Sequence, residues 1–178
     1  SRPDMRFLLM TKANGLSTLE KARGIRWLVL DVDGVLTDGR IILDGGDGEW
    51  KAFDVRDGQR IVLAAQEGIR TVFLTGRCSR VVERRAAELG VHRVFQGAHD
   101  KGEAMDLFFR EEGVRPEETA YLGDDIVDLP ALRRRHARVL RLACNGGADA
   151  KRLYELLAPF RPGVLPIVVE YRNHGVTG

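Results

Sequence analysis

Cysteine is scarce: the 178-residue chain holds only Cys78 and Cys144, far apart and at no metal-ligand spacing. With no secretory signal at the amino end, free thiols in a reducing cytosol are the expectation, and with them a cytoplasmic protein. Cys78 stands just after Thr75-Gly76-Arg77 but reads as a bystander, since no histidine is positioned by sequence to activate it. A surplus of one charge is also missing. The formal net charge of +2 excludes the strongly basic balance of a dedicated nucleic-acid binder. The run Arg133-Arg134-Arg135 then reads as a solvated helix face. No apolar run approaches the roughly 20 residues of a membrane helix, so no membrane partner is expected. Sequence repeats and low-complexity segments are lacking too.

What is present suits one globular core. Apolar residues make up 44% and charged residues 30%, and a chain of this length fills one domain more readily than two. Residues 1–178 are therefore read as a single domain. Residues 1–18 form a loose arm leading into a short helix at Thr18 to Arg23. Trp27-Leu28-Val29-Leu30 is a continuous apolar run, as in a strand buried on both faces of a parallel sheet. Arg40 to Leu43 and Glu49 to Phe53 flank a Gly/Asp cluster and predict a β-hairpin over 40–53.

From there helix and strand alternate. Helices are predicted over Asp57 to Gln66, Ser79 to Leu89, Lys101 to Glu112 and Ile126 to Arg135. Strands are predicted over Arg70 to Leu74, Arg93 to Phe95, Thr119 to Leu122 and Arg138 to Leu142. Gly68, Gly90 and Gly113 follow three of the helices as C-terminal caps should. The alternation predicts an α/β fold: a Rossmann-like parallel sheet with helices on both faces, plus a small β-hairpin and no cap domain. Ligands of such sheets bind beyond the carboxyl ends of the strands. Asp31 and Asp33, Thr75, and Asp124 and Asp125 all fall just after strands, and Lys101 opens the helix after the short strand ending at Phe95.

In Asp31-Val32-Asp33-Gly34-Val35-Leu36-Thr37 two alternating carboxylates leave a buried strand, and Gly34 lets the backbone turn at once. An Asp-Gly turn without chemistry would look the same. Gly123-Asp124-Asp125 follows another apolar strand, however, and Asp128 comes one helical turn later. Acidic groups gathered without histidine or thiolate point to a hard divalent cation, Mg²⁺. Thr75-Gly76-Arg77 offers a hydroxyl and a backbone turn to a phosphate oxygen, and Lys101 offers a positive charge. Taken singly, Thr75 could be a strand-end cap and Lys101 a surface lysine.

These four segments, in this order, resemble the four motifs of the haloacid dehalogenase superfamily. The chain is most similar to one branch, the capless 3-deoxy-D-manno-octulosonate 8-phosphate phosphatases, through Thr37-Asp38-Gly39, the hairpin, and Phe53-Asp54-Val55-Arg56-Asp57-Gly58. The resemblance runs from Leu19 to Leu132. A sister group acting on nononate or neuraminate 9-phosphates is also similar, at Glu49-Trp50-Lys51 and at Phe95-Gln96-Gly97. The resemblance implies a Mg²⁺-dependent phosphatase of a small phosphorylated sugar acid, serving lipopolysaccharide biosynthesis. Asp31 would be the nucleophile, and Asp33 would protonate the leaving alcohol and then activate water. The side chains of Asp31 and Asp124 and the backbone carbonyl of Asp33 would bind the metal, with Asp125 and Asp128 supporting it or its waters, or else orienting Lys101. Thr75 and Lys101 would hold the phosphoryl group, and Gly76 and Arg77 would bind substrate beside them. Arg56 would bind an acidic substrate or else fix its own loop by a salt bridge.

The same resemblance implies a homotetramer formed through the hairpins, with a neighbouring subunit shaping the pocket that no cap covers. The family's Gly-Gly-x-Gly-Ala-x-Arg-Glu segment is not found; Arg141-Leu142-Ala143-Cys144-Asn145-Gly146-Gly147 comes near its start, and 159–178 reads as a divergent tail in which His174 is a mobile residue. Arg60 replaces a glycine usual in the family. A non-catalytic oligomerisation module is the alternative from another class, and loss of Asp31, Asp33 or Lys101 would have favoured it.

Overall fold

The computed structural model describes residues 24–46, 48–133, 139–142 and 167–169. Residues 1–23, with the arm and helix expected there, Cys144, Asn145-Gly146-Gly147 and His174 lie outside the described residues. A six-stranded parallel sheet runs β5-β4-β1-β6-β7-β8, built from β1 (Trp27–Leu30), β4 (Arg70–Leu74), β5 (Arg93–Phe95), β6 (Thr119–Gly123), β7 (Val139–Leu142) and β8 (Ile167–Val169). The hairpin strands are β2 (Ile42–Leu43) and β3 (Glu49–Trp50). Helices α1 (Val55–Gln66), α2 (Arg80–Leu89), α3 (Lys101–Glu112) and α4 (Leu129–Arg133) connect the parallel strands.

The sheet is covered on both faces, which explains its unbroken apolar strands. Successive residues of a strand point to opposite sides. Trp27, Val29, Val72, Leu74 and Tyr121 therefore pack with Met105 and Phe108 of α3 and Leu129 and Leu132 of α4. Leu30 and Phe73 pack on the other side with Ile61 of α1 and Val82 and Ala86 of α2.

Helix starts are chemically marked. Asp54, Ser79 and Asp100 accept hydrogen bonds from the first free N–H groups of α1, α2 and α3, satisfying donors a helix cannot. Gly90 and Gly113 end α2 and α3 in the left-handed conformation. Gly68 follows the actual cap, Glu67, by one residue.

Several expected bounds shift. The hairpin strands are two residues each rather than four and five. The Asp54 cap starts α1 at Val55, not Asp57. The helix expected over Ile126 to Arg135 is a 3₁₀ turn, Ile126–Asp128, followed by α4, because Asp125 and Asp128 cap each other's backbone. Within the tail, where the sequence predicts no element, β8 (Ile167–Val169) adds a parallel edge strand to β7.

Candidate active site

β1 lies between β4 and β6, so the chain's direction of travel across the sheet reverses there. A crevice forms beyond the carboxyl ends at such a point. The Asp31 N–H bonds the Leu122 carbonyl at 2.9 Å and the Thr75 N–H bonds the Phe95 carbonyl at 2.9 Å, so both residues extend the sheet ladder to its last rung. Both side chains are buried.

At this edge Lys101 is not a surface lysine; it is 2% exposed. Its ammonium donates to Asp128 Oδ1 at 2.7 Å and lies 2.9 Å from Asp31 Oδ1. A cation in the first turn of a helix opposes the helix dipole, and the two carboxylates offset that cost. Burial by itself would lower the Lys101 pKa; Asp128 and then Asp31 outweigh it and raise it.

Asp128 is fully buried and saturated. Oδ1 takes Lys101 and the Tyr121 hydroxyl at 2.6 Å, while Oδ2 takes the backbone N–H groups of Asp124 at 2.9 Å and Asp125 at 3.0 Å. Burial, then Asp128, pushes the Tyr121 hydroxyl far above its ordinary range, so it remains a donor. Gly123 makes the arrangement possible, because a Cβ there would fall 2.3 Å from Asp128 Cγ.

Asp31, Asp124 and Asp128 bring carboxylate oxygens within 4.8 Å of one another. One ammonium does not neutralise three carboxylates. Burial first, then Asp31, Asp128 and Asp125, pushes Asp124 up to about 8. Burial first, then Asp128, pushes Asp31 up to about 6 against the pull of Lys101. Asp124 Oδ1 is buried and has no hydrogen-bond partner among the described residues. A buried, unpartnered carboxylate oxygen amid excess negative charge is what a hard divalent cation would relieve, so the donor set fits Mg²⁺. Gly34 completes the cradle at φ 95°, where a Cβ would meet Asp124 Oδ2 at 1.7 Å.

Around this centre, Thr75 Oγ1 accepts from the Arg77 N–H at 3.3 Å, shaping the Thr75-Gly76-Arg77 turn. Arg77 is exposed and its guanidinium meets Glu49 at 3.3 Å. Asp125 is exposed and caps the 3₁₀ turn rather than joining the three clustered carboxylates. Arg56 is also exposed and turns its fork onto Asp54, at 3.2 and 2.8 Å, so the fold realises the salt-bridge alternative. That contact, with the Arg56 N–H, holds Asp54 down at about 2. Cys78 is free and exposed.

Two participants escaped the sequence reading as members of the site. Tyr121 lies within an apolar strand, where a hydroxyl needs a partner; that was the available signal. Lys51 follows β3, and its ammonium bonds Asp33 Oδ1 although nothing local links residues 33 and 51.

No family model matches the chain. A curated relative, the 3-deoxy-D-manno-octulosonate 8-phosphate phosphatase of Escherichia coli strain K12, is 41% identical over 116 residues, covering 65% of this chain and 62% of the relative. The match thus spans less than two thirds of that relative's length. A solved structure of the phosphatase of the same description from Moraxella catarrhalis, in complex with a magnesium ion, a phosphate ion and KDO, is 35% identical with a TM-score of 0.68, covering 83% of this chain and 78% of that one. A probable YrbI family phosphatase from Pseudomonas syringae is 37% identical with a TM-score of 0.68, covering 75% of each chain.

Proposed function

The chain belongs to the 3-deoxy-D-manno-octulosonate 8-phosphate phosphatases of the haloacid dehalogenase superfamily, and from that premise we propose that it hydrolyses this phosphorylated sugar acid through an aspartyl phosphate on Asp31. The observation that carries the reading is the buried Asp31–Lys101–Asp128 group at the sheet edge, with Asp124 beside it and Asp33 two residues on.

Asp31 attacks phosphorus, and the bond from phosphorus to the sugar oxygen breaks as Asp33 gives that oxygen a proton. Water then attacks phosphorus, Asp33 takes back a proton, and the bond to Asp31 breaks to release inorganic phosphate. Thr75, the Gly76-Arg77 turn and Lys101 hold the phosphoryl oxygens, Lys101 being oriented by Asp128. Arg77 also borders a groove of about 990 Å³ beside the hairpin, which Leu43, Glu49 and Gln96 line and Asp31, Thr75 and Lys101 do not. Mg²⁺ would be held by the side chains of Asp31 and Asp124 and the backbone carbonyl of Asp33, with Asp125 and Asp128 behind them. When bound it supplies charge neutralisation between an anionic nucleophile and an anionic ester.

Ile41, Ile42, Leu43 and Trp50 are exposed on the hairpin, at 57%, 48%, 66% and 66%. Apolar residues so gathered suit burial between copies, which supports self-association; the count of four is what the family resemblance implies. No described helix is long and apolar enough to cross a membrane. The reading carries with it a cytoplasmic place of action in lipopolysaccharide synthesis.

The test is phosphate release from 3-deoxy-D-manno-octulosonate 8-phosphate, nononate and neuraminate 9-phosphates and simple sugar phosphates, with Mg²⁺ and with chelator. The 8-phosphate should be the best substrate, and chelation should abolish turnover. Preference for a 9-phosphate would move the assignment to the sister group. No release from any of them by folded, metal-loaded protein would remove the enzymatic reading.

The raised carboxylates give a stability prediction. A carboxyl whose folded pKa lies above its unfolded value keeps folded-state stability below the unfolded value and loses it as pH climbs to the folded one. For Asp124 and Asp31 that window runs from the ordinary carboxyl value of 3.8 up to about 8 and about 6 respectively. The melting temperature of chelated protein should therefore fall from pH 5 to pH 8.5. Mg²⁺ should raise it more at pH 8.5 than at pH 6, where binding must displace protons. A flat profile for the chelated protein would contradict the packing of these carboxylates.

A further inference from the structure

We propose that Lys51 is a positioning residue for Asp33: it holds Oδ1 of that carboxylate and leaves Oδ2 to carry the proton of the reaction. The proposal rests on the phosphatase reading above. The amides nearest Asp33 do not hold its side chain, since the Val32 N–H goes to Asp31 Oδ1 and the Gly34 N–H to Thr37 Oγ1. Among the described residues, Lys51 is the hydrogen-bond partner of that carboxylate.

The lysine's place is specific. It follows β3 of a hairpin whose apolar residues face outward, yet its own side chain is 1% exposed. An ammonium taken out of water needs charged partners. Lys51 has Asp33 and, at 3.9 Å, Glu49 Oε2. The same Glu49 oxygen meets Arg77 at 3.3 Å. Asp33, Lys51, Glu49 and Arg77 thus form a chain of alternating charge from the proton carrier to the turn after β4. That chain sets the distance between the group that protonates the leaving oxygen and the turn that holds the phosphoryl group. A carboxylate held at one oxygen cannot rotate its proton away from the departing alcohol.

The requirement is greatest where the leaving oxygen must be protonated. Release of the alcohol in a single turnover should be followed for wild type, Lys51→Met and Lys51→Gln. The two esters are 3-deoxy-D-manno-octulosonate 8-phosphate, whose alkoxide needs a proton, and p-nitrophenyl phosphate, whose phenolate does not. Lys51→Met should slow the sugar ester roughly 10²-fold and the nitrophenyl ester by less than about threefold, as for loss of a positioned general acid. KM for the sugar ester should be little changed. Lys51→Gln, which keeps a donor without the charge, should fall between wild type and Met on the sugar ester, and it carries the test if Met does not fold. Equal losses on both esters in folded protein, or no loss on either, would overturn the role of Lys51 and leave the phosphatase reading intact. Failure of wild type on both esters would remove that reading and the proposal together.

Discussion

Asp31→Asn should abolish phosphate release, by roughly 10⁴-fold or more, without lowering thermal stability. Asn keeps the shape of Asp and an oxygen that can accept from Val32 N–H, which the Asp31 carboxylate binds at 2.7 Å. It removes the negative charge and, with it, the nucleophile. It also removes a carboxylate that burial and Asp128 hold up at about 6. The chelated variant should therefore melt no lower than wild type at pH 7.5, with the gap in its favour opening between pH 3.8 and about 6 and staying level above. Comparing single-turnover release with the melting curve separates the two effects. Activity within about tenfold of wild type would exclude Asp31 as the nucleophile.

Asp128→Ala should be the most damaging substitution to the fold. It removes the acceptor for four donors at once: the Lys101 ammonium, the Tyr121 hydroxyl and the backbone N–H groups of Asp124 and Asp125. Asp128, Lys101 and Tyr121 are buried, so the ammonium and the hydroxyl do not find water in exchange. Breaking a buried charged pair from one side costs about 3–5 kcal/mol. Two-state denaturation with urea should show a loss of that order. Asp128→Asn retains an oxygen and should lose less. The surviving Ala variant should also turn over poorly, because Lys101 loses one of its two carboxylates and the Asp124 loop its anchor. A loss below about 1 kcal/mol would mean that the four contacts are not all made together in solution.

The readable parts of the fold were those set by local chemistry. Arg70 to Leu74, Arg93 to Phe95 and Lys101 to Glu112 match the structure residue for residue, since each is an apolar or periodic run bounded by a cap or a glycine. Bounds failed where a side chain reached back to the chain. Asp54 started α1 early, and the mutual capping of Asp125 and Asp128 divided the next helix. β8 was missed because three apolar residues after Pro166 have no periodicity of their own; they become a strand by pairing with Leu140 to Leu142.

The sequence by itself determined the alternation of strands and helices, and with it the parallel sheet and the edge at which Asp31, Thr75 and Asp124 emerge. Those are consequences of periodicity and chain direction, which are properties of neighbours along the chain. Only the tertiary structure decided that Lys101 is buried, that Asp128 is consumed in holding it, that Arg56 is occupied by Asp54, and that Lys51 returns from the hairpin to Asp33. Each of those depends on which charges share a space sheltered from water. An ammonium's partner is chosen by distance and desolvation between residues far apart in sequence, and a linear pattern carries neither.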